Sequence, residues 1–469
     1  MFAQQAMVDN MRLLGRWSQD SLPVNSGVRF NDIWGYADSL TGREYAIMGS
    51  TERVHFFDVT EPNEIVEVAN FALGENTIWR DIKTFGQYAY AVSETNDEGL
   101  AVFDLSQLPD TVKLVNQVTD GFKNAHNVFI ETTTGRLYIV GSRTANIVVY
   151  DLNEDPSQPE LLAAVELPEG RYVHDVFVDG YFAYCSHGYR GLYIWDMSDP
   201  TMPIQIAKVN TGGYNHSSWI TADGKYSLYA EEVPIGRPLG VIDLEKMMEN
   251  EIEIALTFSE PLLAPFHTAN RPHNPFIKGN YAYLSYYHDG IVIFDISDPL
   301  NPKRIAHYDT TENDDYPDNF DGVWGVYPFL PSGNIIASDV TTGLYVVKYE
   351  PKEEANFRPD ATSIDPNEAY ITGTTPPNNN FQQLPTTHES TTAFTVMPNP
   401  TNDWITINLN GQLNAPIHAQ IHSMNGQVIQ EQISANPTFQ LDLSTLPKGI
   451  YILNVQKGEE RYRERITKF

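Results

Sequence analysis

Four histidines, His126, His174, His216 and His273, are the side chains of this sequence best placed to do chemistry, because each opens the same short phrase. The phrase is a polar residue, usually a small polar partner, a mostly apolar position and then an aromatic, as in His126-Asn127-Val128-Phe129 and His174-Asp175-Val176-Phe177. Three more copies begin at Asn31, Arg80 and Asp321, which makes seven, spaced 42 to 57 residues apart. Neutral imidazoles bind transition metals and move protons near neutral pH, and a guanidinium fork receives carboxylates or phosphates.

A period of roughly 40 to 50 residues marks a β-propeller, in which each repeat is one four-stranded blade. An alternating strand such as 88–92 or 181–184 follows the phrase, then a Gly-containing turn, then a third strand that ends in aspartate in six copies, from Asp58 to Asp295. These aspartates are expected to be structural, accepting backbone N–H groups in the turn that follows. The seventh unit stops after its third strand, 343–347, while residues 12–17 read as a fourth strand that lacks a blade. The expected fold is therefore all-β: a seven-bladed β-propeller closed by an N-terminal strand, followed by a small C-terminal β-sandwich.

Antiparallel neighbours place the start of each innermost strand and the end of each second strand on one face. The first positions of the phrases should thus meet Glu94, Arg143, His187, Glu232, His288 and Asp339 around one mouth of the central channel. The consecutive trio His126, His174 and His216, with Glu232 as a carboxylate ligand or base, could hold a divalent metal, zinc or calcium, and leave a position for water. Arg80, Arg143, His187, His273 and Asp321 are the residues expected to contact a ligand, with Arg80 beside Arg143 receiving an anionic group. The same side chains also read as a belt that hydrogen-bonds the backbones of neighbouring blades and seals the channel. An acidic loop at 312–318 offers hard oxygens to calcium but lacks EF-hand spacing, so a solvated loop fits it better. No catalytic residue is assigned: a Gly-x-Ser-x-Gly elbow, a His-Glu-x-x-His motif and a phosphate-binding glycine loop are all missing from the sequence.

A formal net charge of −31 argues against nucleic acid and anionic membranes as partners, because both need a basic face. Residues 394–469 hold six acidic and six basic side chains, so the whole excess belongs to residues 1–393. The single cysteine, Cys185, excludes an internal disulfide and is expected as a buried, inert thiol. No apolar run approaches the length of a transmembrane segment. One short helix is expected at 244–250, and Met1-Phe-Ala-Gln-Gln5 reads as the remnant of an export signal.

Four segments follow from these shifts in character: an N-terminal tail at 1–11, the propeller at 12–350, a linker at 351–393 rich in Pro, Asn, Gln and Thr, and a strand-rich module at 394–469. In the last, Pro398-Asn-Pro400, Met424-Asn-Gly-Gln-Val428, Leu441-Asp-Leu443, Leu446-Pro-Lys-Gly-Ile-Tyr451 and a basic end resemble the type A sorting domain of the type IX secretion system. That resemblance implies export across the outer membrane of a Bacteroidota-type bacterium, with residues 394–469 engaging the secretion machinery and the passenger released or held at the surface.

A second resemblance covers nearly the whole propeller. Trp79-Arg-Asp-Ile82, Val173-His-Asp175, Asn215-His-Ser-Ser-Trp219 and Gly290-Ile-Val-Ile-Phe-Asp-Ile-Ser-Asp-Pro299 are similar to the choice-of-anchor B proteins, which carry LVIVD-type repeats and vary in their C-terminal anchor. The resemblance implies an extracellular protein and no particular activity. The expected function is a secreted or cell-surface propeller that binds an extracellular ligand or protein. The competing expectation is a metal-dependent enzyme with its histidine-rich site at the channel mouth.

Overall fold

The structure, a computed structural model, describes residues 8–74, 76–95, 97–168, 172–259, 271–311, 320–351, 394–397, 401, 403–409, 416–423, 428–446, 449–457 and 460–468. The acidic loop, the linker from 352 onward and Pro398-Asn-Pro400 lie outside the described residues. The chain divides into two units, Met1–Glu353 and Glu354–Phe469.

Among the described residues, the first unit holds seven antiparallel sheets, whose strands run outward in chain order from an innermost strand except where N-terminal strands add to the outer edges of two of them. Blade four, for example, runs Asp175–Asp179, Phe182–Ser186, Leu192–Asp196 and Ile204–Val209. The innermost strands Phe30–Ala37, Arg80–Phe85, Asn127–Glu131, Asp175–Asp179, Asn215–Ile220 and Pro275–Lys278 pack one on the next. Blade six then meets Val323–Tyr327 of blade seven through Tyr281–Ser285, and that strand packs back on Phe30–Ala37. Both faces of a blade are covered by neighbours, so its strands are apolar on both sides: Tyr45, Ile47 and Phe56 of blade one interdigitate with Ile82, Ala91 and Phe103 of blade two.

Closure comes from the other end of the chain, as the spare strand implies. Met11–Trp17 pairs antiparallel with Gly343–Tyr349, Met11 opposite Tyr349 and Trp17 opposite Leu344. Gly15 is required in that strand, since a Cβ there would sit 1.6 Å from the Pro62 carbonyl oxygen. The segment expected as a tail also takes part: Val8–Asp9 adds a short fifth strand to blade six, opposite Tyr308 and His307.

Two expectations need correction. Residues 244–250 form only a single 3-10 turn, Met247–Glu249, ended by Asn250 in the left-handed conformation. More consequential, the seventh phrase is displaced by three residues. In every other blade the aromatic (or Lys83) position faces the second-strand residue two beyond the partner of the strand-three terminus; thus Phe177 faces Tyr184, Phe182 being opposite Asp196. The same rule in blade seven selects Tyr327, which faces Ile336, with Asn334 opposite Lys348. A bulge between Val323 and Gly325 separates the two alignments. Blade seven therefore presents Trp324-Gly325-Val326-Tyr327, and Trp324, not Asp321, takes the first position.

The six strand-end aspartates are structural as expected. Each accepts the backbone N–H two residues on, as Asp58 does from Thr60 at 3.0 Å and Asp196 from Ser198 at 2.8 Å. Cys185 is buried in blade four, where burial pushes its thiol far above the usual range.

The second unit is a pair of sheets: Phe394–Met397, Trp404–Leu409 and Thr438–Asp442 in one, and Val428–Ser434, Ile417–Ser423, Gly449–Lys457 and Glu460–Lys468 in the other. Ile405, Ile407, Ile417, Ile421, Leu441, Leu453 and Ile466 form the core between them. Alternation along each strand supplies that face, as in Trp404–Leu409, where Ile405 and Ile407 are buried and Trp404 is exposed.

Candidate functional site

Three tiers of side chains descend the channel, one for each inward-facing position of the phrase. At the bottom the aromatics close on one another: Phe177 and Trp219 have ring centroids 4.6 Å apart, Trp219 and Phe276 5.1 Å, and Trp34 and Tyr327 4.9 Å. Above them Asp32, Asp81, Asn127, Asp175, Ser217 and Asn274 surround a space of about 30 Å³, room for roughly one water. Lys83, the one phrase without an aromatic, turns its ammonium up to Asp81 and lies 4.3 Å over the Trp34 ring. Burial, and Asp81 close by, push the Asp32 carboxyl well above the usual range. Asp81 in turn accepts the Val128 N–H of the next blade at 2.8 Å.

The top tier is a run of stacked imidazoles. Ring centroids are 4.3 Å apart for His126 and His174, 4.2 Å for His174 and His216, and 4.3 Å for His216 and His273. Trp79 continues the run beyond His126 and Trp324 beyond His273. His174 Nδ1 donates to the His216 carbonyl at 3.1 Å, and His273 Nδ1 to the Trp324 carbonyl at 2.6 Å. A carbonyl partner fixes the proton on Nδ1, so in the neutral ring Nε2 is a bare acceptor. Burial holds His174 and His216 far below the ordinary imidazole range and lowers His273 to about 3. The belt of inter-blade bonds and a tier of neutral, available nitrogens are thus two sides of the same rings.

Above this tier opens a cavity of about 550 Å³. Its wall includes Val28, Ile78, Trp79, Tyr172, Tyr214, Tyr287, Phe320 and Trp324, and its polar groups include Glu94, His126, Arg143, His174 and Glu232. His126 Nδ1 lies 3.4 Å from Glu94 Oε2, and His216 Nε2 lies 3.6 Å from Glu232 Oε2. Glu232 is buried, its other oxygen accepts the Tyr287 hydroxyl at 2.8 Å, and burial raises its pKa. Ligand atoms of His174, His216 and Glu232 all lie within 4.8 Å of one another. Gly141, with φ of +71°, allows the approach of His126, whose Cβ would lie 2.2 Å from a Cβ at that position.

The remaining expected residues are placed differently. Arg80 is buried and turned into blade one, donating Nε to the Ser50 carbonyl at 2.8 Å and Nη2 to the Leu73 carbonyl; it does not share the cavity wall with Arg143. Its guanidinium is lowered to about 10 by burial. Arg143 is exposed on the cavity wall. His187 is off the wall but donates Nδ1 to the carbonyl of Tyr172, which is on it, at 3.0 Å; burial lowers His187 to about 4. Asp321 accepts the Gly322 N–H at 3.0 Å in the loop before blade seven and does not line the cavity.

The aromatic walls were missed from sequence, though a signal existed. Ile78, Tyr172 and Tyr214 each lie two residues before a first position, and Arg271 holds the corresponding place in blade six, its guanidinium 4.0 Å over the Phe320 ring. Also unforeseen is a relay inside blade one: Ser50 Oγ lies 3.0 Å from His55 Nε2, and His55 Nδ1 2.8 Å from Glu67 Oε1. These are the distances of a catalytic triad, but Ser50 and His55 are both fully buried, beneath Trp17 and Phe57.

Residues 395–468 match the Secretion system C-terminal sorting domain. Residues 170–211 and 276–310 match the LVIVD repeat, and these spans coincide with the four consecutive strands of blades four and six. No curated protein matches the chain. The sorting domain directs export by the type IX secretion system, to the cell surface or the extracellular space. Among the described residues no helix is long and apolar enough to cross a membrane.

Proposed function

For a chain with two LVIVD repeats in its propeller and a type IX sorting domain, we propose that the propeller is an extracellular binding module, of the choice-of-anchor B kind, which captures a small ligand in the cavity at its channel mouth. The observation that carries this reading is the rim of that cavity, where Trp79, Tyr172 and Phe320 remain 37%, 38% and 40% exposed. Apolar rings kept in water around a concave site, with a few polar groups at fixed positions, are what a small-molecule pocket requires. A purely structural belt needs no such rim; the aromatic tier below already closes the channel. A ligand with one flat apolar face would lie against the rings, while Glu94, Arg143 and the imidazole edges fix its orientation.

Tryptophan fluorescence provides the test, because Trp79 and Trp324 both line the cavity. A panel of monosaccharides, aromatic acids and amino-acid derivatives is titrated into the native chain and into a Trp79→Ala, Arg143→Ala variant. Capture should weaken by roughly tenfold or more in the variant while the thermal midpoint holds. A variant that binds every hit as tightly as the native chain would place the binding surface elsewhere.

A second reading, metal-dependent catalysis in the same cavity, is favoured by the convergence of His174, His216 and Glu232. It differs in one measurable respect, a stoichiometric metal in the purified chain.

A further inference from the structure

His216 turns its cavity-side nitrogen to an anion. Its ring interacts with the His273 backbone of the next blade, as His174 does with the His216 carbonyl, and its Nε2 faces the Glu232 carboxylate at 3.6 Å. With the proton on Nδ1, a bare Nε2 lone pair points at that carboxylate. Beside it, His174 Nδ1 is committed to the His216 carbonyl, which leaves Nε2 bare as well. Two bare nitrogens and a carboxylate oxygen therefore converge; the charge of buried Arg271 reaches Glu232, but a buried polar cluster of that kind stays costly unless something bonds to all three.

We propose that His174, His216 and Glu232 hold one zinc-class divalent ion, with its remaining position open to the cavity, and that this ion makes the cavity a receptor for oxygen-donor ligands such as carboxylates. The ligand class rests on the binding-module reading; the ion itself does not. Two imidazole nitrogens and one carboxylate oxygen are a borderline-soft set that suits zinc and is too small and too nitrogen-rich for calcium. Tetrahedral bonds of about 2.1 Å put ligand atoms about 3.4 Å apart, close to the 3.6 Å between His216 and Glu232 and within reach of the 4.8 Å span of the set.

Supports behind the ligands are already present. The His216 carbonyl fixes the His174 ring through Nδ1, and the Tyr287 hydroxyl holds the second oxygen of Glu232, the kind of outer contact that orients metal ligands and tunes their basicity. His126, expected in the set from its place in the trio, leaves it: its Nδ1 faces Glu94 instead. The ion also changes the sign of the site. Glu94 and Glu232 face the cavity with Arg143, and a dication on Glu232 leaves a local excess of one positive charge at the floor, where an anionic oxygen would bind.

The experiment uses the full exported chain purified without chelator. Elemental analysis should find about one zinc per chain. The chelator-stripped chain should bind Co²⁺ stoichiometrically with the visible band of a four- or five-coordinate nitrogen–oxygen site, and added acetate or inorganic phosphate should shift that band. Glu232→Gln, which keeps volume, and His174→Ala should each weaken Co²⁺ binding by roughly 100-fold or more, while His55→Ala, in blade one away from the cavity, retains it; circular dichroism confirms that each is folded. A folded native chain that takes up neither zinc nor Co²⁺, or a Glu232→Gln variant that binds Co²⁺ as tightly as the native chain, overturns the site. A Co²⁺ band indifferent to both anions overturns the open position and the ligand class. Ligand capture by the stripped chain, followed by tryptophan quenching, separates failure of the ion from failure of the binding module.

Discussion

His55 and His216 each face a glutamate from within this propeller, and each sits in a cluster of residue types that enzymes use. Around His55 every nitrogen has a partner: Ser50 Oγ on one side, Glu67 on the other, with Trp17 and Phe57 packed over the ring. Around His216 the cavity-side nitrogen meets only a carboxylate, that of Glu232 at 3.6 Å, and a cavity of about 550 Å³ adjoins the cluster. The first arrangement is complete and sealed, so its triad-like distances serve the cohesion of blade one. The second is incomplete and open, which is the condition for binding something else. Satisfaction and access, rather than composition, separate the structural cluster from the candidate site.

The contrast can be broken at the sealed end first. His55→Ala removes two hydrogen bonds and two ring contacts from a fully buried position and leaves Glu67 held by Asn70 alone among its hydrogen-bond donors, so it should cost roughly 3 kcal/mol in chemical denaturation. The same variant should retain full Co²⁺ uptake; a loss of uptake in a folded His55→Ala chain would mean that the two clusters are coupled.

A smaller effect sharpens the electrostatic side. The Asp32 carboxyl, raised by burial and by Asp81, binds its proton more tightly folded than unfolded. Its contribution to stability is therefore present at low pH and declines as pH rises above the unfolded value near 4. The buried imidazoles of His174, His216 and His273 act in the opposite sense, since depressed folded values favour the folded state more as pH climbs toward about 6.5. The readout is thus the difference between native and Asp32→Asn chains: from pH 5 to 8 the thermal midpoint of the native chain should lose ground relative to the variant, by an amount worth about 1 kcal/mol or more. Parallel curves would show that Asp32 is ionised in the fold.

The smallest expected effect is none. A fluorophosphonate probe should leave Ser50 unlabelled, detected by mass spectrometry of the folded chain, because no solvent reaches its hydroxyl. Labelling would turn the sealed cluster into a site and erase the distinction.

The phrase beginning at His126 and its relatives announced the blades because each blade must present the same kinds of residue at the same depth of a closed ring, so pattern and fold are nearly one statement. Met11–Trp17 was legible for a related reason, an edge strand in want of a blade. The sorting module was legible as a motif. At the site, His126, His174 and Glu232 line the cavity at the mouth, whereas Asp321 does not, because a bulge between Val323 and Gly325 moves Trp324 into its place. A one-dimensional period contains no record of such an insertion when the shifted phrase also begins with a polar residue and ends in an aromatic.

Arg80 shows the other limit. Its position in the repeat is right, yet its side chain lies against the Ser50 and Leu73 carbonyls, because a long side chain chooses among partners that only neighbouring blades supply. The sequence alone therefore determined the ring, its closure and its route out of the cell, since these follow from period, strand count and motif. Tertiary structure alone decided which imidazoles converge, which nitrogens remain bare and where the aromatic walls leave room, since each depends on side chains brought together from separate blades.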